Sequence, residues 1–130
     1  MAVQYVTRQD KRKNGNQLWY GRVIHPTTID LDTIAERIEK NCSMTKGDVK
    51  AVLTELVSVM TIELQNSNKV KIDGLGLFYL MIKTSGAETD KGFNANDNIK
   101  NVYTRFLPEG RMVNGKMTRT FQKGIKFVRA

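Results

Sequence analysis

The sequence has one cysteine, one histidine, two prolines and no run of 18 apolar residues. The lone Cys42 excludes an internal disulfide and is typical of a reducing compartment; its helical spacing from Ile38 predicts a core position. His25 has no partner at a metal-ligand spacing, so no metal site is predicted. With no apolar run to cross a bilayer and no signal-peptide zones at the start, we expect a soluble cytoplasmic protein without membrane contact.

Groups suited to catalysis are equally scarce. Cys42 and His25 lie apart, no phosphate-binding loop is present, and the carboxylates are spread over predicted helix surfaces. We therefore expect no enzymatic activity, no cofactor and no small-molecule substrate.

The net charge of +8 is unevenly distributed. Residues 1–25 carry five Lys or Arg and one acid, residues 26–98 carry eight and eleven, and residues 99–130 carry eight and one. The positive charge thus belongs to the two ends of the chain and indicates a polyanionic partner. The alternative is that these residues only solvate loops and strand edges.

The stretch from Thr45 to Ile82 predicts the centre of the fold. Thr45 followed three residues later by Asp48 has the pattern of a capping box. The helix that begins there ends at Asn66 and carries an apolar stripe at helical spacing. The stripe consists of Val49, Val52, Leu53, Leu56, Val57, Met60 and Leu64.

Two strands are predicted next, Lys69–Asp73 and Leu77–Lys83, joined by a turn with Gly74 and Gly76. The second is apolar at consecutive positions, whereas a half-exposed strand alternates. A helix can cover one face, but a small domain has little with which to cover the other. We expect a second subunit there; the alternative is a strand sandwiched within one chain.

A first helix is predicted at Leu31–Asn41, capped by Asp30, and it forms a hairpin with the second helix. The polar stretch Thr84–Asn98 precedes a returning strand, Ile99–Phe106. A connection of that length without its own packing is usually functional or disordered. Glu109–Thr120 is a poor candidate for a helix.

The two ends predict further strands. Val3–Arg8 and Leu18–Ile24 form a hairpin whose Asn-Gly connection tolerates the positive φ of hairpin turns. Lys123–Val128 is a candidate last strand, with that hairpin as its partner. Trp19 and Tyr20 fall on opposite faces of the second strand, so one of them could stack on a base, but packing on the body is favoured.

The order of these elements resembles the HU and integration host factor family of bacterial histone-like DNA-binding proteins. The elements are the two helices, Val70-Lys71-Ile72, Gly74-Leu75-Gly76-Leu77-Phe78, the apolar strand, the polar stretch Thr84–Asn98 and the returning strand before Pro108. The resemblance covers about Asp30 to Pro108. The basic hairpin and tail are similar to the longer HU-related proteins of the Bacteroides group.

The resemblance implies an α+β fold in which a helical hairpin packs on a three-stranded antiparallel sheet with a β-ribbon arm. Two chains would intertwine as a homodimer, with an N-terminal β-hairpin and a C-terminal strand added. The chain would divide into an N-terminal hairpin extension (1–27), an HU-like domain (28–108, with the arm at 84–98) and a basic C-terminal extension (109–130). Together these parts would form one compact unit.

The resemblance also implies a nucleoid protein that binds duplex DNA through phosphates with little sequence preference. Family arms are rich in Lys and Arg and bend DNA with a proline wedge. Here residues 84–98 hold one cation, Lys91, against three acids, and no proline. Phe93 is the one apolar side chain there large enough for a wedge, and packing on the body or on another protein is an equal alternative.

The candidate DNA contacts fall into three groups. The sheet and its turn contribute Lys83, Lys100, Arg105, Gly74 and Gly76, the arm contributes Lys91 and Phe93, and the hairpin tip contributes Arg12 and Lys13. The basic tail adds Arg111, Lys116, Arg119, Lys123, Lys126 and Arg129. RNA would fit the positive charge of these groups as well as DNA does. The alternative function is a dimeric HU-fold scaffold whose non-basic arms bind protein.

Overall fold

The structure, a computed structural model, describes residues 2–130, which contain eight strands and three α-helices. In chain order these are β1 (Val3–Gln9), β2 (Trp19–Val23), α1 (Leu31–Glu39), α2 (Lys46–Gln65), β3 (Val70–Ile72), β4 (Gly76–Thr84), α3 (Ala95–Asn98), β5 (Ile99–Pro108), β6 (Gly110–Val113), β7 (Lys116–Arg119) and β8 (Phe127–Arg129). A single 3-10 turn, Thr120–Gln122, precedes β8.

The central unit has the predicted α+β architecture. β3, β4 and β5 form an antiparallel sheet in that order, and the hairpin of α1 and α2 packs on it through α2. Both helices begin where the sequence predicted. Asp30 accepts a hydrogen bond from the Thr33 amide at 2.9 Å, and Thr45 accepts one from the Asp48 amide at 3.2 Å. The bond from Thr33 also lowers the pKa of Asp30.

Strand register divides the central sheet into two unlike faces. Phe78, Leu80 and Ile82 of β4 lie opposite Phe106, Thr104 and Val102 of β5. This apolar face includes a stacked ring pair, Phe78 and Phe106, with centroids 4.6 Å apart. Since paired residues share a face, the other face combines apolar with polar and charged side chains from the two strands. Its β4 members are Leu77, Tyr79, Met81 and Lys83, and its β5 members are Leu107, Arg105, Tyr103 and Asn101.

The apolar appearance of β4 alone was therefore misleading about its second face. Tyr79 lies opposite Arg105, and Lys83 lies opposite Asn101. A face with this mixture does not require an apolar cover. The apolar face and the helices, by contrast, leave large apolar side chains exposed.

Gly76 makes the reversal between β3 and β4 possible. Its φ is +148°, and a Cβ there would lie 2.3 Å from the Leu107 carbonyl oxygen and 2.6 Å from the Phe106 ring. Gly74 has a φ of +84° but open space around it. Gly76 is required by close approach of β5, while Gly74 is required by the turn alone.

The two ends of the chain meet in a second sheet, which we call the terminal sheet. Its order is β2-β1-β8, with β1 and β2 antiparallel and β8 parallel to β1. The predicted hairpin and its pairing with the last strand are confirmed, although β8 starts later than expected. Residues 109–120 form another hairpin, β6 and β7, for which no strand was predicted.

Three side chains are more exposed than expected. Cys42 is exposed rather than in the core, because α1 ends at Glu39 and the following turn leaves the helix surface. Trp19 is 63% exposed and Tyr20 50%, so the expectation that these rings pack on the body was wrong.

The described chain leaves much of its apolar surface in solvent. Its buried apolar residues are Ala35 and Val49, and its accessible surface is 11079 Å². A compact monomer of this mass exposes about 7,000 Å². Within residues 2–130, no helix combines the length and apolar character needed to cross a bilayer.

The two glycines of the turn provide a matched test of this geometry. Gly76→Ala should lower the free energy of unfolding by about 3–5 kcal/mol, because strain and a clash with β5 add together. Gly74→Ala should cost about 1–2 kcal/mol, since only its backbone conformation is unfavourable. Denaturant titration of both variants measures the difference, and equal losses would contradict the assigned role of Gly76.

Candidate functional site

Four basic side chains accompany the polar face of the central sheet. Lys83 and Arg105 lie on this face by register, and Lys71 of β3 joins them opposite Leu77. The Lys69 ammonium, just before β3, lies 4.9 Å from the centre of the Tyr79 ring. We call Lys69, Lys71, Lys83 and Arg105 the cationic face.

The charges of the cationic face are accessible. Lys69, Lys71, Lys83 and Arg105 are all exposed. The carboxylate nearest to Lys71 is that of Asp73, at 3.9 Å, and the two side chains are 64% and 96% exposed. An exposed pair of this kind contributes at most about 1 kcal/mol, so it does not prevent Lys71 from binding an anion.

Two tyrosines lie among these cations. Tyr79 is half-buried and Tyr103 is 40% exposed. A tyrosine ring provides apolar contact while its hydroxyl can donate a hydrogen bond to an oxygen ligand. The face therefore combines positive charge with hydrogen-bond donors, as the binding of a phosphate backbone requires.

Only two of the predicted contacts on the sheet come together. Lys83 and Arg105 share the cationic face, whereas Lys100 donates its ammonium hydrogen bond to the Asp97 carbonyl at 2.6 Å. Gly76 is buried beside β5, and Gly74 is exposed in the turn. The structure therefore gives Gly76 a packing role and leaves Gly74 as a proposal.

Sequence reasoning missed Lys69, Lys71, Tyr79 and Tyr103. Each was visible in the sequence as a polar or aromatic residue at strand spacing. Their common face depends on the pairing of β3 and β5 with β4, which a single sequence does not give. Once the register is known, the alternation of side chains between the two faces of the sheet identifies these four residues as neighbours.

The predicted β-ribbon arm is instead a compact loop. Strand pairing ends at Thr84 and Ile99 with a register shift, and residues 85–94 form turns before the short helix α3. Asn98 closes this loop. Its amide nitrogen donates to the Ser85 hydroxyl and the Gly86 carbonyl, both at 3.2 Å, and its amide oxygen accepts from Asn94 at 2.8 Å.

The arm residues of the prediction, Lys91 and Phe93, lie on this loop. Phe93 is 42% exposed, and its amide donates to the Asp90 carbonyl at 3.2 Å. Neither residue lies on a paired strand, so neither projects from the sheet on a β-ribbon as the prediction required.

The predicted contacts of the N-terminal hairpin lie on the terminal sheet. Arg12 forms an ion pair with Asp10 at 2.9 Å. Its hydrogen bonds lower the pKa of Asp10, and the carboxylate raises the pKa of Arg12. Arg12 and Lys13 both stay exposed, but Asp10 compensates the charge of Arg12.

The family model described as "HU domain fused to wHTH, Ig, or Glycine-rich motif" matches residues 1–123. The chain belongs to this HU-HIG family. The expected resemblance to HU proteins is thereby confirmed, and the HU-HIG match includes the terminal hairpin as well as the helices and central sheet. No curated protein gives a significant match.

A solved structure shares the fold of this HU-HIG chain. It is a crystal structure from Bacteroides vulgatus ATCC 8482, provisionally described as a bacterial DNA-binding protein, with a TM-score of 0.64 at 13% identity. The match covers 98% of this chain and 47% of that one, so this chain spans about half its length. An Anabaena HU–DNA cocrystal structure has a TM-score of 0.49 at 17% identity, covering 73% of this chain and 95% of that one.

The loop geometry makes a direct prediction for Asn98. Asn98→Ala should speed amide hydrogen exchange in residues 85–94 roughly 10-fold, because it removes side-chain hydrogen bonds that hold the loop closed. Exchange in β4 and β5 should not change. Asn96→Ala, in the same helical turn, is the control, and an equal effect there would contradict the role of Asn98.

Proposed function

We propose that this HU-HIG chain forms a homodimer that binds duplex DNA through phosphate contacts with little sequence preference. The observation that carries the proposal is the cationic face, four exposed basic side chains around two tyrosines on one side of the central sheet. Phosphate contacts fix position on a duplex but carry no direct sequence information.

The surface left uncovered by one chain supports the homodimer. The exposed area exceeds that of a compact monomer by about 4,000 Å². Obligate dimers bury about 2,000–5,000 Å² or more in total over both chains, so part of this excess is enough for such an interface. The excess is largely apolar: Val52, Val57, Val59 and Ile62 of α2 are 48–64% exposed, and Ile82 and Val102 of the sheet are 49% and 53% exposed.

An open groove marks where a second copy would dock. It has a volume of 470 Å³ and lies between α1 and α2. Its lining includes Leu31, Ile34, Leu53, Leu56 and Val57. A self-complementary apolar surface of this kind is the usual basis of a two-fold dimer.

The provisional description of the Bacteroides vulgatus structure as a DNA-binding protein agrees with the proposal. Cytoplasmic, nucleoid location and the absence of enzymatic activity are part of the same proposal. DNA bending is not part of the proposal, because strand pairing stops at Thr84 and Ile99 and no ribbon extends beyond them. A side chain inserted between base pairs would have to be Phe93.

A second candidate is a dimeric scaffold whose loops bind protein. The loop at residues 84–98 favours it, since three carboxylates against one lysine would repel DNA while Phe93 is exposed. Replacing residues 86–93 by a short glycine–serine linker separates the two. DNA binding should survive under our proposal, and a partner recovered only by the intact loop would support the scaffold.

Removing charge from the cationic face should weaken duplex binding. Lys83→Ala with Arg105→Ala should lower affinity for a ~30-base-pair duplex about 10-fold or more. The salt dependence should flatten by about 0.9 in slope for each phosphate that the variant no longer neutralises. Arg37→Ala with Lys40→Ala removes the same charge from the last turn and the C-cap of α1 and is the control. Equal losses in the two variants would indicate a net-charge effect and contradict the assigned surface.

The dimer is tested by a charge placed in the groove. Val57→Glu should convert a species of about twice 14.8 kDa into unfolded or monomeric chains, because the carboxylate would be buried without a partner. Sedimentation and circular dichroism measure both results. Lys40→Glu, at the exposed C-cap of α1, should remain dimeric, and a folded monomeric parent protein would refute the dimer.

A further inference from the structure

The terminal sheet carries an exposed aromatic surface that duplex binding by the cationic face does not use. Tyr5 lies opposite Val23 on one side and Arg129 on the other, Gln9 lies opposite Trp19, and Val3 lies opposite Phe127. Odd-numbered β1 residues therefore share one face with these partners. We call Tyr5, Trp19, Val23 and Phe127 the aromatic face.

The aromatic face is open to solvent. Trp19 is 63% exposed, Phe127 is 68% exposed and Val23 is 48% exposed. The described helices and the central sheet make no extensive contact with these strands. Large exposed apolar side chains along one face of a sheet are candidates for a binding surface.

Two shallow hollows lie along this surface. One, of 440 Å³, is lined by Tyr5, Gly21, Val23 and Phe127. Gly21 contributes no side chain, and a Cβ there would meet the Tyr5 ring at 3.9 Å, so the glycine leaves that ring uncovered. The other, of 330 Å³, is lined by Arg8, Gln9, Lys11 and Trp19.

The two hollows are far enough apart to hold two separate flat groups. Trp19 and Val23, one at each hollow, are four residues apart on β2, which separates them by about 13 Å. Aromatic side chains displayed on a sheet can stack two or three unpaired bases.

The charge around the aromatic face has one sign. Residues 2–25 and 123–130, which form the terminal sheet and its hairpin loop, carry eight Lys or Arg and one acid. That acid, Asp10, is paired with Arg12 at 2.9 Å. The Arg129 guanidinium lies over the Tyr5 ring, 5.7 Å from its centre, so a cation already stacks on one side of this ring.

We propose that the terminal sheet binds single-stranded nucleic acid, with unpaired bases stacking on Trp19, Tyr5 and Phe127 and with phosphates contacting the surrounding cations. A duplex hides the faces of its bases within the stack, whereas a single strand offers them, and stacking plus backbone charge is the usual mode of sequence-tolerant binding. A docking protein would match the apolar rings but would need a strongly acidic surface around them.

Trp19 reports on this site directly because it is the only tryptophan of the chain. An oligothymidylate of about 12 nucleotides should quench Trp19 emission, and salt should reverse the quenching. An oligouridylate of the same length tests RNA. Quenching by either strand supports the site, and the stronger of the two identifies its preferred source.

Substitutions then locate the binding surface. Trp19→Ala and Phe127→Ala should each lower affinity about 10-fold, measured by anisotropy of a labelled oligonucleotide. Tyr20→Ala removes an exposed ring from the opposite face and should change affinity less than about 2-fold. Circular dichroism of each variant establishes that the terminal sheet is intact.

Three results would overturn the inference. The first is oligonucleotide binding without a change in Trp19 emission. The second is an equal loss of oligonucleotide affinity in Trp19→Ala and Tyr20→Ala. The third is a blue-shifted Trp19 emission in the free dimer, which would show that protein covers the aromatic face. The double variant Lys83→Ala with Arg105→Ala should retain oligonucleotide binding while its duplex affinity falls. Failure of this site is thus distinguishable from failure of the proposed duplex function.

Discussion

The apolar surface that one chain cannot cover is the constraint on which the rest of the structure depends. Two buried apolar residues, Ala35 and Val49, are a small core for the part of the chain that the structure describes. Burial of side chains provides most of the free energy that opposes conformational entropy. The homodimer proposed above would bury this exposed apolar surface, and under that proposal the apolar face of the sheet lies in the dimer. Its opposite face is then available to carry charge.

This division of the sheet explains what the sequence predicted well and what it did not. The caps at Asp30 and Thr45, the two helices and the turn at Gly76 depend on residues close together in the chain, and they were predicted within a few residues. The cationic face depends on which β5 residue lies opposite Tyr79 or Lys83. That register is a tertiary property, since shifting it by one residue would exchange the two faces.

The loop at residues 84–98 shows a different limit. Its position after β4 resembles that of a ribbon arm, but a ribbon requires alternating side chains and cross-strand pairs on both arms. Residues 85–94 contain small and polar groups that instead bond locally, and Asn98 bonds across the loop to Ser85 and Gly86. Such side-chain bonds to nearby backbone compete with strand pairing. The departure from the family composition was visible in the sequence. In the structure, strand pairing stops at Thr84 and Ile99, and a loop stands where the arm was predicted.

The meeting of the two chain ends gives the positive charge its arrangement in space. Residues 2–25 and 123–130 are distant in sequence, yet β1 and β8 pair in parallel and bring their cations onto one sheet. Phosphate attraction alone would not explain why Trp19 and Phe127 occupy exposed positions among those cations. Exposed rings forgo the free energy that burial would provide. Their exposure is consistent with a ligand that has both flat faces and negative charge, and the cationic face, with half-buried Tyr79, suits a ligand that offers charge alone.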